Sequence, residues 1–232
     1  MHFELIGDWL RNCDKSHQCR PINKFLPTRV IDVGQSDNLS TIKLHSRYAC
    51  EAQKYVALSH RWGTGDAWKQ ACLLRSNIQD RHLGFDTRKL PKVFQDAITV
   101  TQALRIRFLW IDSLCIIQDD PEDWATEARL MEDVFSSAYF TIAVSSPKDD
   151  GFLTTRPPRE FVTIPTGLDG RYYICEPIDD FQGDVEENEL NQRGWVLQEH
   201  ALSPRTIHFT PKQAYWECGN GIRPETLARL LK

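Results

Sequence analysis

The chain has 232 residues, of which 41% are hydrophobic and 26% are charged, and its formal net charge is −4. A chain of this length and composition can bury the core of a globular protein without disulfides or metal ions. The acidic charge argues against a nucleic-acid partner, because a nucleic-acid surface needs a basic stripe.

Neither secretion nor a membrane partner is expected from the sequence. Met1–Leu10 contains Glu4 and Asp8 and lacks the apolar stretch of a signal peptide. Apolar runs such as Leu114–Ile117 are too short to span a bilayer. The seven cysteines are odd in number and spread along the chain, which favours reduced thiols. We therefore expect a cytoplasmic protein.

Residues 1–53 are predicted to form an N-terminal extension. Val30–Val33 and Thr41–Leu44 have the β-branched character of strands. The polar stretch Gln35–Ser40 between them predicts a turn. We expect the resulting hairpin to pack on the core of the protein, which we place at residues 54–218.

Cys13, His17 and Cys19 form a small group of metal-binding residue types with Cys-x3-His-x-Cys spacing. A closed zinc site in a structural role needs four protein ligands. A fourth ligand is not evident in the neighbouring sequence, so we predict no metal site.

The middle of the chain alternates between predicted strands and helices. Tyr55–Ser59, Arg107–Asp112 and Tyr139–Val144 are apolar and typical of buried strands. One intervening helix begins near Leu90-Pro91, and a second begins at Asp120, continues to Ala138 and has Asp120 as its cap. This alternation predicts an α/β fold with a mostly parallel sheet flanked by helices.

The rest of the chain predicts shorter elements. The sequence indicates strands near Phe161–Ile164 and Tyr172–Cys175, a solvated acidic loop at Asp179–Glu189, a helical stretch in Leu190–Leu202, and two strands that could pair, Thr206–Phe209 and Ala214–Cys218. Residues 219–232 read as the start of a C-terminal helix or extension, Pro224–Lys232, that is cut short.

Five sequence blocks, in a fixed order, carry a resemblance to a known family. They are Tyr55–Gly63, Leu90–Ile98, Leu109–Asp119, Asp150–Leu153 and Arg193–Glu199, with Leu202–Thr206 and Trp216–Cys218 completing the set. Together they resemble the fungal heterokaryon incompatibility (HET) domain, although His60 stands where the family more often has an aromatic residue. The resemblance implies an effector of fungal non-self recognition whose activation kills the cell.

The HET family is distantly similar to TIR domains, some of which cleave nicotinamide from the ADP-ribose of NAD+. This likeness implies a TIR-like (flavodoxin-like) sheet with HET-specific insertions and extra short strands. Leu58-Ser59-His60 stands at the end of the first TIR strand, and Asp112 ends the second. Trp195 and Glu199 have the TIR spacing of four residues, which places both side chains on one helix face. The long segment Pro147–Gln192 departs from the TIR pattern.

The likeness to TIR domains implies a catalytic carboxylate at Glu199. A carboxylate can stabilise the cation-like sugar that forms as nicotinamide leaves. The alternative is that Glu199 is an acid at a helix start, held by Arg193 or Arg205. Asp112 is a second catalytic candidate, because the ends of strands are favourable functional positions in open α/β sheets. Its alternative role is to cap the following loop.

Glu127, on the helix that follows Asp120, is a third catalytic candidate. Its alternative is a buried ion pair with an arginine such as Arg129 or Arg193. Ser59 is a candidate substrate-binding residue at the end of the first core strand, with a purely structural hydroxyl as the alternative.

The remaining substrate-binding candidates are two arginines and three tryptophans. Arg61 and Arg193 offer planar guanidinium groups to the pyrophosphate of NAD+. Trp195 offers a flat wall for a nicotinamide or adenine ring. Trp62 and Trp110 are candidates of the same kind, with packing in the core as the alternative. NAD+ is the expected substrate, and no cofactor is predicted.

Two functional hypotheses remain open at this point. The first is an NAD+ glycohydrolase that becomes active when an upstream receptor or regulatory domain clusters it, with self-association in the active form. The second is a non-enzymatic death-signalling module whose sequence blocks build an oligomerisation surface.

Overall fold

A computed structural model describes residues 3–17, 19, 25–34, 40–47, 54–63, 65–145, 151–156, 160–165, 171–175, 177–188 and 199–230. The strands are β1 (Arg29–Asp32), β2 (Thr41–Ser46), β3 (Tyr55–Ser59), β4 (Phe85–Asp86), β5 (Phe108–Trp110), β6 (Phe140–Val144), β7 (Phe161–Pro165), β8 (Arg171–Cys175), β9 (Arg205–Phe209), β10 (Ala214–Cys218) and β11 (Gly221–Pro224). The helices are α1 (Phe3–Ser16), α2 (Asp66–Ala71), α3 (Ile78–Leu83), α4 (Lys92–Ala103), α5 (Asp112–Cys115), α6 (Pro121–Arg129), α7 (Met131–Ser137) and α8 (Glu225–Leu230). Residues 199–202 are also helical.

Among these described residues, nine strands form one mixed sheet in the order β11-β10-β9-β6-β3-β5-β1-β2-β4. The four central strands, β9, β6, β3 and β5, are parallel to one another. The flanking strands pair antiparallel on both sides. The predicted α/β class and the parallel pairing of the core strands are therefore confirmed, whereas the strands on either side of this core pair antiparallel.

The parallel strands do not lie in chain order. Numbered along the chain, β3, β5, β6 and β9 are first to fourth, and their spatial order is second, first, third, fourth. The chain therefore reverses direction across the sheet between β3 and β6. In open α/β sheets, ligands bind outside the carboxyl ends of the strands at such a reversal. Ser59 is the last residue of β3 and lies at this point.

The predicted N-terminal hairpin is present and belongs to the main sheet. β1 pairs with β2 from Arg29 to Asp32, and it also pairs with β5 through Ile31 and Leu109. The turn Gln35–Ser40 lies almost wholly outside the described residues. Through β1 the N-terminal segment shares one sheet with the predicted core.

Helix α1 packs on the opposite end of the sheet. Its Trp9 lies beside Trp216 of β10, with ring centroids 6.5 Å apart. Asp14 is 2.9 Å from the guanidinium of Arg205, which is fully buried, and accepts a hydrogen bond of 2.7 Å from Tyr139 Oη. A buried arginine needs such a partner, because an unpaired buried charge is strongly destabilising. These contacts fasten α1 to β9 and β10.

The helix predicted to run from Asp120 to Ala138 is two helices. Asp120 caps α6 as expected, accepting hydrogen bonds from the backbone N–H groups of Glu122 and Asp123. α6 ends at Arg129, Leu130 lies between the two helices, and α7 begins at Met131. The prediction of one continuous helix was wrong, because the apolar pattern does not reveal where the backbone turns.

Two of the family-like blocks meet at a buried carboxylate. Asp96 of α4 accepts hydrogen bonds from the backbone N–H groups of Phe152 (2.7 Å) and Leu153 (2.9 Å). Lys92 Nζ lies 2.7 Å from the other oxygen of Asp96. The preceding Gly151 has φ of +83°, which favours glycine. Asp96 therefore holds the turn that places Phe152 against Phe209, at a centroid distance of 4.5 Å.

The segment after β6 differs in part from its prediction. β7 and β8 form a separate two-stranded antiparallel sheet, which confirms the two short strands. The acidic segment is not wholly a solvated loop, because it contains a π-helical turn (Gln182–Glu186) with Asp184 buried. Asp184 accepts a hydrogen bond of 2.8 Å from Tyr215 Oη and lies 2.9 Å from Lys212 Nζ.

The C-terminal elements agree with the prediction except for one added strand. β9 and β10 pair antiparallel, and α8 falls within the predicted helix. Strand β11 was not predicted and pairs with β10 as a hairpin. None of the helices in the described part of the chain is long and apolar enough to cross a membrane.

Candidate functional site

Glu199 lies against the carboxyl end of β3. The buried hydroxyl of Ser59 donates a hydrogen bond of 2.5 Å to Glu199 Oε2. One helical turn later, Ser203 Oγ donates to the backbone carbonyl of Glu199 (2.7 Å) and lies 2.7 Å from Thr141 Oγ1 of β6. The helical segment 199–202 is thus attached to β3 and β6, the two strands between which the sheet reverses.

The sheet face beneath this segment carries a row of polar side chains. Ser59 is aligned with Ala143 and His208, and Thr141 is aligned with Thr206, so their side chains point to the same side. Glu217 of β10 is opposite Thr206 and shares that side. Polar residues on a buried face need hydrogen-bond partners, and here the segment 199–203 supplies several of them.

Glu217 lies between two histidines. Its Oε2 atom is 2.6 Å from His200 Nε2 and 2.7 Å from His208 Nε2. The hydrogen bond with Glu217 raises the pKa of His200, whereas burial lowers the pKa of His208. Burial alone would raise the pKa of Glu217, but its bonds with the two imidazoles lower that pKa to about 2. Glu217 is therefore ionised at neutral pH, and the pKa values of the two histidines are shifted in opposite directions.

We expect the two imidazoles to titrate on opposite sides of the ordinary value of 6.5, His200 above it and His208 below it. Because the folded-state pKa of His200 is raised, its contribution to stability is full below pH 6.5 and is lost as the pH rises through that pKa. Imidazole NMR resonances followed against pH measure both values. The Glu217→Gln variant should lower the pKa of both histidines, and coincident titration of both at 6.5 in the wild type would contradict the prediction.

A cavity of about 540 Å³ opens beside this histidine pair. It is lined by Cys19, His200, Ala201, Ser203, Pro204, Glu217, Cys218 and Gly219. The volume is within the range of small-molecule sites. His200 follows Glu199 directly in the chain, but Glu199 is not among the residues that line the cavity.

A family model described as "Heterokaryon incompatibility protein (HET)" matches residues 55–199. The chain belongs to the HET family. It is 30% identical over 102 residues to "Heterokaryon incompatibility protein 6, OR allele" of Neurospora crassa, an alignment that covers 41% of this chain and 15% of the relative. The chain thus corresponds to a small part of that relative's length. No solved structure matches the chain.

Within this HET domain, Asp112 and Trp62 form a direct contact. Trp62 Nε1 donates a hydrogen bond of 2.6 Å to Asp112 Oδ2, and the backbone N–H of Ser113 donates to Asp112 Oδ1 at 2.6 Å. Asp112 is the first residue of α5, and its carboxylate accepts hydrogen bonds from Trp62 and Ser113, whereas no side chain caps the helix at the preceding Ile111. Trp62 is partly exposed, and Arg61 beside it is exposed.

Glu127 of the HET domain is buried in an ion-pair network. Its Oε1 atom lies 3.6 Å from Arg29 Nη2, and the same guanidinium donates to Asp123 at 2.5 and 2.7 Å. Burial raises the pKa of Glu127. The ion pair expected as the alternative to catalysis is thus present, with Arg29 as the partner instead of Arg129 or Arg193.

The aromatic candidates have different positions. Trp110 is 1% exposed and packs edge-on against Phe135, with ring centroids 5.7 Å apart. Its ring belongs to the core, so the expected role as a pocket wall is corrected to the core alternative. Trp195 and Arg193 lie outside the described residues.

His200, His208 and Glu217 were missed by sequence reasoning. They follow the family match, which ends at Glu199. A signal for two of them was present, because His208 and Glu217 lie on the two strands predicted to pair. Assigning a register to that hairpin would have placed Glu217 opposite Thr206, one step from His208 on the same face. Nothing local in the sequence indicates that His200 joins them.

Proposed function

We propose that this HET domain is an effector of heterokaryon incompatibility that kills by hydrolysing NAD+ to nicotinamide and ADP-ribose, with Glu199 as the catalytic carboxylate. The observation that carries this proposal is the hydrogen bond from Ser59 to Glu199 at the reversal point of the parallel sheet. A carboxylate fixed at that position is in the place where open α/β sheets bind ligands.

The strand order supports the likeness to TIR domains. The spatial order second, first, third, fourth for β3, β5, β6 and β9 is the order of flavodoxin-like sheets. Asp112, after β5, lies at the same edge as Ser59, because the carboxyl ends of parallel strands share one edge. Glu199 and Asp112 are therefore at the same edge of the sheet, as the TIR-like reading requires.

Cleavage of the nicotinamide–ribose bond requires one negatively charged group close to the ribose. The bond between C1′ of the ribose and the pyridinium nitrogen breaks, its electrons go to the nitrogen, and neutral nicotinamide leaves without needing an acid. The sugar becomes cation-like, and a carboxylate beside it stabilises that charge. Water then adds to C1′ and releases a proton, which completes ADP-ribose. Ser59 orients Glu199, and Arg61 on the exposed loop after β3 is the candidate for the pyrophosphate.

Incubating the concentrated, purified protein with NAD+ tests the proposal. We expect NAD+ to disappear and nicotinamide and ADP-ribose to appear in equal amounts by chromatography. An active TIR glycohydrolase serves as the positive control. Intact NAD+ in the HET sample, with full turnover in the control, would overturn the proposal.

One observation favours the second candidate function, a non-enzymatic assembly module. Val162, Ile164, Tyr172 and Ile174 form one apolar face of the β7–β8 sheet, and each is between 44% and 68% exposed. A contiguous exposed apolar face of this kind marks an interaction surface, here for a second copy of the chain. Expression in fungal cells separates the two functions, because killing of the cells with an unchanged NAD+ pool would assign this protein to the second.

A further inference from the structure

Four metal-binding side chains from distant parts of the chain converge beside the cavity. They are Cys13 near the end of α1, His17 and Cys19 just after α1, and Cys218 at the end of β10. Their sulfur and nitrogen atoms all lie within 4.8 Å of one another. His17 and Cys218 are 201 residues apart in the sequence. Cys218 is thus the fourth ligand that the neighbouring sequence lacks.

One distance within the cluster already equals an edge of a tetrahedral zinc site. Zinc binds thiolate sulfur at about 2.3 Å and histidine nitrogen at about 2.0 Å, so the sulfur-to-nitrogen edge of a tetrahedron is about 3.6 Å. The distance between Cys218 Sγ and His17 Nδ1 is 3.6 Å. Sulfur-to-sulfur edges of about 3.8 Å follow from the same bond length, and the spread of 4.8 Å requires only side-chain adjustments.

We propose that Cys13, His17, Cys19 and Cys218 bind one zinc ion in a closed, structural site. Three thiolates and an imidazole are soft ligands that select zinc over magnesium or calcium. Four protein ligands leave no open position for water or substrate, which distinguishes a structural from a catalytic zinc. The proposal does not rest on NAD+ hydrolysis.

The surroundings of the four ligands suit a metal site. Asn220 Nδ2 is 2.8 Å from His17 Nε2, so the nitrogen that does not face Cys218 already has a polar partner. Turning the Asn220 amide by half a rotation presents its oxygen to the Nε2–H of a metal-bound imidazole, the usual second hydrogen bond of such ligands. The Asn220 backbone N–H lies 3.5 Å from Cys218 Sγ and donates to it.

The β10–β11 turn and the core enclose the site. A Cβ atom on Gly219 would lie 3.4 Å from Cys19 Sγ, so the turn packs within van der Waals contact of that sulfur. Cys13 is fully buried, and Cys218 is nearly so. Cys19, Cys218 and Gly219 also line the cavity together with His200 and Glu217. The zinc would thus fix one wall of the cavity and fasten α1 to β10.

Metal analysis of the whole chain, purified without chelators, tests the proposal. We expect about one zinc per chain, as a closed site of this kind binds the metal tightly. Cys13→Ser and Cys218→Ser should each lose the metal. Cys72→Ser and Cys175→Ser remove thiols outside the cluster and should keep it. Cobalt in place of zinc should give the visible bands of a tetrahedral thiolate site, and Cys218→Ser should abolish them.

A conservative change guards against a variant that fails to fold. His17→Cys keeps four soft ligands and should retain both the zinc and a folded chain, whereas His17→Ala should lose the metal. Asn220→Ala should weaken zinc affinity by about 10- to 100-fold. The proposal would be overturned if the wild type contained no metal, or if the wild type and Cys218→Ser contained equal amounts. A disulfide among Cys13, Cys19 and Cys218 in freshly purified protein would also overturn it.

Discussion

Replacing Glu199 with glutamine is expected to reduce NAD+ turnover on the order of 10²- to 10³-fold, the scale on which single preorganised electrostatic groups act in enzymes. Glutamine keeps the shape of the side chain and can still accept the hydrogen bond from Ser59, but it carries no negative charge to oppose the cation-like sugar. Killing of fungal cells should be lost together with turnover. Chromatographic assay of NAD+ and a viability assay measure the two effects.

Matched variants separate catalysis from folding. Glu132→Gln makes the same chemical change at an exposed position of α7 and should leave turnover unchanged. Ser59→Ala should lower turnover by about ten-fold or more, because a hydrogen bond to a charged group contributes about 1.5–3 kcal/mol. Ser59 acts as a positioning residue, so its loss should alter kcat more than KM. Full turnover in a folded Glu199→Gln protein would remove Glu199 from the mechanism.

Replacing Gly151 with alanine should lower the free energy of unfolding by about 3–5 kcal/mol, the scale of losing a partner from a buried charged group. A Cβ atom at this position would lie 2.2 Å from Asp96 Oδ2 and 2.6 Å from Lys92 Cγ. The carboxylate would have to move away from the backbone N–H groups of Phe152 and Leu153, which would lose their acceptor. Denaturant unfolding followed by circular dichroism measures the loss.

Two other glycines serve as controls for this change. Gly221 has φ of +102° and open space around its Cα, so Gly221→Ala reports the conformational strain alone, about 1–2 kcal/mol. Gly65 has ordinary backbone and open space, and Gly65→Ala should change stability by less than about 1 kcal/mol. If Gly151→Ala were no less stable than Gly221→Ala, the hydrogen bonds of Asp96 would not require a glycine at position 151.

The elements that the sequence predicts correctly are those with local signals. Tyr55–Ser59 is a continuous apolar, β-branched run, and it forms β3 with the predicted bounds. Asp120-Pro121 is a cap followed by proline in the first turn, and α6 starts there. In both cases residues close in the chain determine the backbone conformation, so a pattern of a few residues is sufficient.

The contacts that the sequence does not predict join residues far apart in the chain. Glu127 pairs with Arg29 because β1 lies next to β5, and this neighbourhood follows from the order of the strands. Arg205 pairs with Asp14 for a similar reason, since α1 packs on the far end of the sheet. The sequence therefore indicates candidate site residues by residue type. It does not indicate their interaction partners, because these are set by the order of the strands in the sheet.

The same logic applies to Cys218, the fourth residue of the cysteine–histidine cluster. Cys13, His17 and Cys19 are visible as a group in the sequence, and Cys218 joins them only through the β9–β10 hairpin. A motif search confined to neighbouring residues misses sites whose ligands come from both ends of a fold. Glu199 could be named as a candidate because its spacing of four residues from Trp195 is visible in the sequence, and its contact with Ser59 came only with the structure.

The attachment of α1 to β9 and β10 affects which segment of the chain can be transferred to another protein and still fold. The family match spans residues 55–199, and a segment with those ends would lack β1, which pairs with β5, and β9, which pairs with β6. Both sides of the parallel centre would become open edges, which are prone to aggregation. A gene fusion that transfers only residues 55–199 would therefore transfer an incomplete sheet. The smallest unit that keeps the strand pairs and the α1 contacts described above extends from α1 to β10.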